Sequence, residues 1–218
     1  MTQTSAYRIL VLALLTCSAL AGGSGLPLAA QSAPERGVFV TQIGEESRVV
    51  IVQRNGDSFA QVAQDGDNNQ TDLSQEGTAS HRAVIAQDGD DNTIDAAQDG
   101  DGSTELAIAQ DGNGNTALVV QREDSARMQS AATLVQRGND NRIDLGQDGS
   151  DNQAELTQVG DDNAMTASQL DNGNRLVWVQ TGDGLSDLQI TQTGGSTMQI
   201  TQSNVGAAFA PPPSSPGG

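Results

Sequence analysis

Apolar residues along this chain come in pairs two positions apart, and a glutamine closes each pair two positions later. Between Ser47 and Gln202 the phrase Ser/Asn-x-apolar-x-apolar-x-Gln occurs fourteen times. It ends at Gln53, Gln64, Gln75, Gln87, Gln98, Gln110, Gln121, Gln136, Gln147, Gln158, Gln169, Gln180, Gln192 and Gln202. Of the twenty-eight paired positions, from Val49 and Ile51 to Met198 and Ile200, only Thr71 is not apolar. Alternation with period two predicts a strand with one buried and one wet face. A repeat this short cannot bury its apolar face alone, so its copies must stack.

By the same parity, the first residue of each phrase and its closing glutamine also point inward. The first positions hold Ser47, Ser58, Asn69, Asn92, Asn115, Ser130, Asn141, Asn152, Asn163, Asn174, Ser186 and Ser196, with His81 and Thr104 in the two remaining phrases. A buried amide is costly unless paired. Identical amides stacked about 4.8 Å apart satisfy one another along a ladder. These residues are therefore the candidate assembly residues.

Between strands the sequence reads Gln-x-Gly-x-x-Asn. The turn glycines are Gly44, Gly66, Gly77, Gly89, Gly100, Gly112, Gly138, Gly149, Gly160, Gly182 and Gly194, where tight reversals call for positive φ. The turns before the phrases ending at Gln87, Gln110 and Gln192 are one residue longer, and Arg122 to Gln129 is a longer excursion. Irregularity is thus expected in turns only. Two phrases make one coil, predicting an all-β, cross-β β-solenoid of about seven coils and roughly 34 Å. Arg36 to Gln42 reads as a degenerate first rung with Val38 and Val40 facing in.

Composition and charge refine this picture. The 218 residues include no lysine, three Phe, one Tyr and one Trp, and the formal net charge is −18. So few aromatics would fill a bundle or sandwich poorly, whereas the negative charge disfavours nucleic acid as a partner and keeps a self-pairing chain soluble. Residues 1–32 have a short basic start, the apolar run Ile9 to Ala21 and small residues after it, the pattern of a secretory signal peptide with cleavage after Ala21 or Ser32. Cys17 lies within it, so the mature chain has no cysteine. The organisation read from the sequence is signal peptide 1–32, N-terminal segment 33–46 with the degenerate repeat, solenoid 47–202, and a disordered Pro/Gly/Ser tail 203–218.

The repeated Ser/Asn-x5-Gln phrase joined by x-Gly-x-x-Asn resembles the curlin repeat of curli-type bacterial functional amyloids, from about Ser47 to Gln202. The resemblance implies secretion through an outer-membrane curli pore of a Gram-negative bacterium, a companion curlin subunit, and homopolymeric fibres (pili) at the cell surface for adhesion and biofilm matrix. It covers both major and nucleating subunits. This chain departs from the usual major subunit in its few aromatics, its short segment Gln31 to Gly37 before the repeats, and its number of coils.

Chemistry of other kinds finds little footing. The Asp65-Gly66-Asp67 and Asp88-Gly89-Asp90 turns offer hard oxygens of the kind Ca²⁺ takes, but calcium-binding β-rolls repeat every nine or so residues in another order. Solvated turn acids acting as gatekeepers against association are the simpler reading. His81 reads as a hydrogen-bonding ladder residue and Trp178 as core. No nucleophile and base share a spacing that suggests a catalytic site, so no enzyme, cofactor or metal is expected. The alternative function is a monomeric secreted β-solenoid that binds Ca²⁺ or a surface. Outward positions mix Arg, Asp, Val and Ala, which speaks against one regular binding face.

Overall fold

A computed structural model describes residues 36–204. The expected signal peptide and most of the expected tail lie outside the described residues. Fifteen strands follow one another without a helix among the described residues: β1 (Gly37–Ile43), β2 (Arg48–Gln53), β3 (Phe59–Asp65), β4 (Gln70–Gln75), β5 (His81–Asp88), β6 (Thr93–Gly100), β7 (Ser103–Asp111), β8 (Thr116–Glu123), β9 (Gln129–Arg137), β10 (Arg142–Asp148), β11 (Gln153–Val159), β12 (Ala164–Leu170), β13 (Arg175–Thr181), β14 (Ile190–Thr193) and β15 (Thr197–Ser203). Odd-numbered strands form one parallel sheet of eight and even-numbered strands a parallel sheet of seven. Each strand pairs with the strand two further along the chain, glutamine against glutamine: Gln64 with Gln87 and Gln98 with Gln121. The result is the β-solenoid of about seven coils that the repeat predicts.

The core is one layer thick between the two sheets. Ala60, Val62, Leu73, Ile85, Leu106, Ile108, Leu134, Leu156 and Trp178 are among its members, all essentially inaccessible. Thr71, the polar exception in the apolar rows, is equally buried. Its hydroxyl accepts from Gln64 Nε2 at 3.2 Å and donates to Gln87 Oε1 at 3.0 Å, so the facing glutamine column satisfies it.

Turn glycines have a second reason to be glycine. Gly66, Gly89, Gly112, Gly138 and Gly160 all sit at φ between +113 and +126, outside the range of ordinary side chains. A Cβ on Gly66 would also lie well under 3.0 Å from the carbonyl oxygen of Gly89, and one on Gly89 equally close to that of Gly112. That same Gly89 oxygen accepts Asn69 Nδ2 at 2.6 Å. Each glycine thus holds a carbonyl of the next coil in place for an asparagine.

Two expectations need correction. The twelve-residue step before Gln192 does not place its extra residue in the turn. Leu185 N–H donates to Asn163 Oδ1 at 3.0 Å, taking the ladder position expected of Ser186, whereas Ala167 already pairs with Ile190. The surplus residue therefore bulges the strand between them, shortening β14 to Ile190–Thr193 and leaving Ser186 exposed and Leu188 49 % exposed. The Asp187 carboxylate replaces the lost strand by accepting Thr166 N–H at 2.9 Å and Thr166 Oγ1–H at 2.7 Å. The second correction concerns Val38 and Val40. They stand in the inward register, beside Ala60 and Val62, yet remain 47 % and 44 % exposed because β1 ends its sheet.

Outward positions, irregular along the chain, sort onto two unlike faces. In the eight-stranded sheet the two central outward rows, Phe39 to Gln199 and Thr41 to Thr201, carry one charge, Glu155. In the seven-stranded sheet the corresponding row holds Asp72, Asp95 and Asp144.

Candidate functional site: amide ladders and column ends

Every closing glutamine lies in one of two continuous ladders. In the eight-stranded sheet, Nε2 donates to the next Oε1 from Gln42 through Gln64, Gln87, Gln110, Gln136, Gln158 and Gln180 to Gln202, at 2.7–3.0 Å. In the facing sheet, Gln53, Gln75, Gln98, Gln121, Gln147, Gln169 and Gln192 do the same at 2.7–3.1 Å. From Gln64 onward the second N–H of each amide crosses the core. Gln75 donates to Phe59 O at 3.1 Å, Gln98 to Arg82 O at 3.0 Å and Gln121 to Glu105 O at 3.1 Å. One side chain thereby stitches its own sheet vertically and the opposite strand laterally, which the strand pattern alone does not reveal.

All these bonds run the same way, from the earlier coil to the later one. The column is polar as a consequence. At its N-terminal face, no donor among the described residues reaches Oε1 of Gln42 or Gln53. At the other face Gln202 and Gln192 keep their cross-core bonds, to Ser186 O and Arg175 O, each at 3.0 Å, but have no further glutamine to donate to, and Gln192 Nε2 also donates to Ser196 O at 3.3 Å.

The two corners differ. One is an asparagine ladder: Asn92, Asn115, Asn141 and Asn163 each donate backbone N–H to the previous side-chain oxygen, beginning at Asn69, at 3.0–3.2 Å, with Ser47 Oγ accepting Asn69 N–H below. The other corner, with Ser58, His81, Thr104, Ser130, Asn152, Asn174 and Ser196, is assembled from mixed parts. His81 N–H donates to Ser58 Oγ at 3.0 Å, Asn152 N–H to Ser130 Oγ at 3.1 Å, and Ser196 N–H to Asn174 Oδ1 at 3.1 Å.

The acids of the first turn column are not simply solvated. Asp67, Asp90, Asp161 and Asp183 accept the backbone N–H of Glu45, Asp67, Asn139 and Asp161 at 2.7–2.9 Å. Asn113 and Asn139 fill the same place, so the position selects a side-chain oxygen rather than a charge. Among the described residues no group of three or more His, Cys, Asp or Glu is arranged to hold a metal ion.

His81 is buried with both ring nitrogens engaged. Nε2 lies 2.5 Å from Glu76 O, which can only accept, so Nε2 carries the proton and Nδ1 accepts from Thr104 Oγ1 at 3.0 Å. Burial lowers its pKa below 6.5, against the opposing pull of the Glu76 carbonyl and Asp99. Below about 6.5 the unfolded chain binds a proton that the folded chain refuses. Stability should therefore fall as pH drops through that value and level off below the folded pKa. Denaturant midpoints at pH 8 and pH 5 should show this, and His81→Asn, the residue of the opposite corner, should flatten the histidine's share of the slope.

The excursion after β8 is closed by a residue that the pattern missed. Glu123 stands where a turn glycine is expected, fully buried. Its Oε2 accepts Ser130 Oγ–H and Asp151 N–H, both at 2.9 Å, and its Oε1 accepts Ser125 N–H at 3.0 Å. Hydrogen bonds to a charged group contribute about 1.5–3 kcal/mol, so Glu123→Ala should destabilise by about 3 kcal/mol and Glu123→Gln by roughly half as much. Urea unfolding followed by circular dichroism measures both. The sequence signal was available: an acid replacing glycine beside an insertion.

No curated protein and no solved structure matches the chain. A family model, the curlin associated repeat, matches residues 56–100 and 132–170, which span β3 to β6 and most of β9 to β12. The same phrase runs in register between and beyond the two blocks, with the same glutamine bonds, and the fold has the character of a structural protein. Both blocks are curlin associated repeats, and the match supports the curlin-repeat family for this chain.

Proposed function

We propose that the protein is a secreted fibre subunit that assembles end to end into extracellular curli-like amyloid of a Gram-negative bacterium, serving adhesion and the biofilm matrix. The observation that carries this reading is the direction of the glutamine ladders. One face of the column presents amide oxygens and the other amide N–H groups, so another copy continues it head to tail. Unpaired strand edges at both ends favour the same contact. An outer-membrane curli pore delivers the chain, and a companion curlin subunit takes part in growth. The ladders suit a major or a nucleating subunit alike. Catalytic amounts seeding a second curlin would mark a nucleator.

The purified chain from Ala33 should form fibres under mild conditions, with a thioflavin response and a meridional reflection near 4.8 Å. A chain that stays monomeric and thioflavin-silent would sink the proposal. Stacked turn acids repel between copies, so lower pH or higher salt should shorten the lag. A lag indifferent to both would count against that role for the acids.

A further inference from the structure

The number of strands is odd, and this matters at the junction between copies. The eight-stranded sheet runs from β1 to β15 and the seven-stranded sheet from β2 to β14. Suppose a second copy continued the column with its β1 in place. β15 would pair with that β1, and the facing sheet would lack one strand between β14 and the next β2. Backbone groups and inward apolar side chains would be left uncovered there at every junction. Without β1 the chain has fourteen strands and seven whole coils. β14 then meets the next β2, β15 meets the next β3, and both sheets run on unbroken.

β1 is also the most weakly fixed of the full-length strands. Its inward Val38 and Val40 are 47 % and 44 % exposed, against 0 % and 1 % for Ala60 and Val62 beside them. Arg36 occupies its corner, where later coils present a side-chain oxygen. Ser58 N–H accordingly turns back to Asn55 O at 3.5 Å, whereas His81 N–H one coil on reaches Ser58 Oγ at 3.0 Å. Besides backbone pairing, β1 is held by Gln42 on Gln64 at 2.8 Å, by the Phe39 and Phe59 rings at 5.7 Å, and by an exposed Arg36–Asp57 ion pair.

We infer that β1 is a strap over the growth edge, and that the fibre interface is β14 and β15 of one copy on β2 and β3 of the next once β1 has swung away. This inference rests on the fibre-forming reading above. The ladders agree in direction: Nε2 of Gln192 reaches Oε1 of the next Gln53, and Nε2 of Gln202 reaches Oε1 of the next Gln64, replacing Gln42. The strap would keep secreted monomers from joining until β1 is released.

The test locks the strap. Thr41 and Ala63 are paired neighbours on the outer face of β1 and β3, so the double variant Thr41→Cys/Ala63→Cys can close a disulfide across them. Oxidised monomers offered to seeds of the unmodified chain should add once at most and then stop, and reductant should restore growth. A second variant lacking residues 33–43 should elongate the same seeds without a lag. Locked monomers that elongate seeds as fast as reduced ones would overturn the inference, as would loss of growth in a truncated chain that still shows β-sheet circular dichroism. If the unmodified chain forms no seeds at all, it is the fibre-forming reading that fails.

Discussion

Gly89→Ala is expected to destabilise the column by at least about 3 kcal/mol, and Gly194→Ala by only about 1 kcal/mol. The two glycines hold the same place in the repeat. Gly89 lies at φ +116 with the Gly112 carbonyl oxygen packed against it, so a methyl group there has neither an allowed backbone conformation nor space. Relief requires spreading two coils, which also breaks the bonds of Asn69 to Gly89 O and Asn92 to Gly112 O. Gly194, in the last turn of its column, lies at φ +66 with nothing within 4 Å of a built Cβ. It incurs only left-handed strain. Urea melts of both variants measure the difference, and equal losses would show that neither the φ of Gly89 nor its contact with the next coil raises the cost there.

The second large effect is expected in the middle of a ladder. Gln121 is inaccessible, accepts from Gln98 at 3.1 Å, and donates to Gln147 at 2.8 Å and to Glu105 O at 3.1 Å. Gln121→Ala leaves a ladder N–H of Gln98 and Oε1 of Gln147 unpaired, removes the bond to Glu105 O and opens a cavity, and should cost about 3–5 kcal/mol. Gln53→Ala, at the N-terminal end of the same ladder and half-buried with one ladder bond, should cost about 1 kcal/mol. Gln121→Glu is the sharper probe because its volume is unchanged. Its carboxylate would face the Gln147 oxygen without a donor to offer, and burial raises a carboxyl pKa. Stability of this variant should be greatest at low pH and fall as pH rises above about 4.3, the value for an unfolded glutamate. Midpoints that do not change between pH 4 and pH 7 would argue against a dry ladder.

Most of the site was legible because it is periodic. Seven residues with period two and a glutamine at a fixed offset leave one register in which every inner row is uniform. Gln64 against Gln87 and Asn92 against Asn115 follow from that alignment. What escaped has no period. Glu123 substitutes for a glycine once, Asp187 repairs one strand, and Asp67 and Asp90 use oxygens that a turn motif does not distinguish from solvated charge. The misplacement of Ser186 has the same root. A one-residue surplus can go into a turn or a strand, and the choice depends on whether Asp187 can close the gap, a matter of three-dimensional reach.

The sequence by itself determined the strands, their inward faces and the coil length, because each depends on spacing along the chain. Only the tertiary structure decided three further things: that every amide points from earlier coil to later, that alternate phrases give one nearly uncharged face and one carrying aspartates, and that fifteen strands leave the two sheets unequal. Spacing is invariant to the direction of a hydrogen bond and to which sheet comes first. Those are fixed when the chain closes its first coil, and every later coil inherits them by stacking.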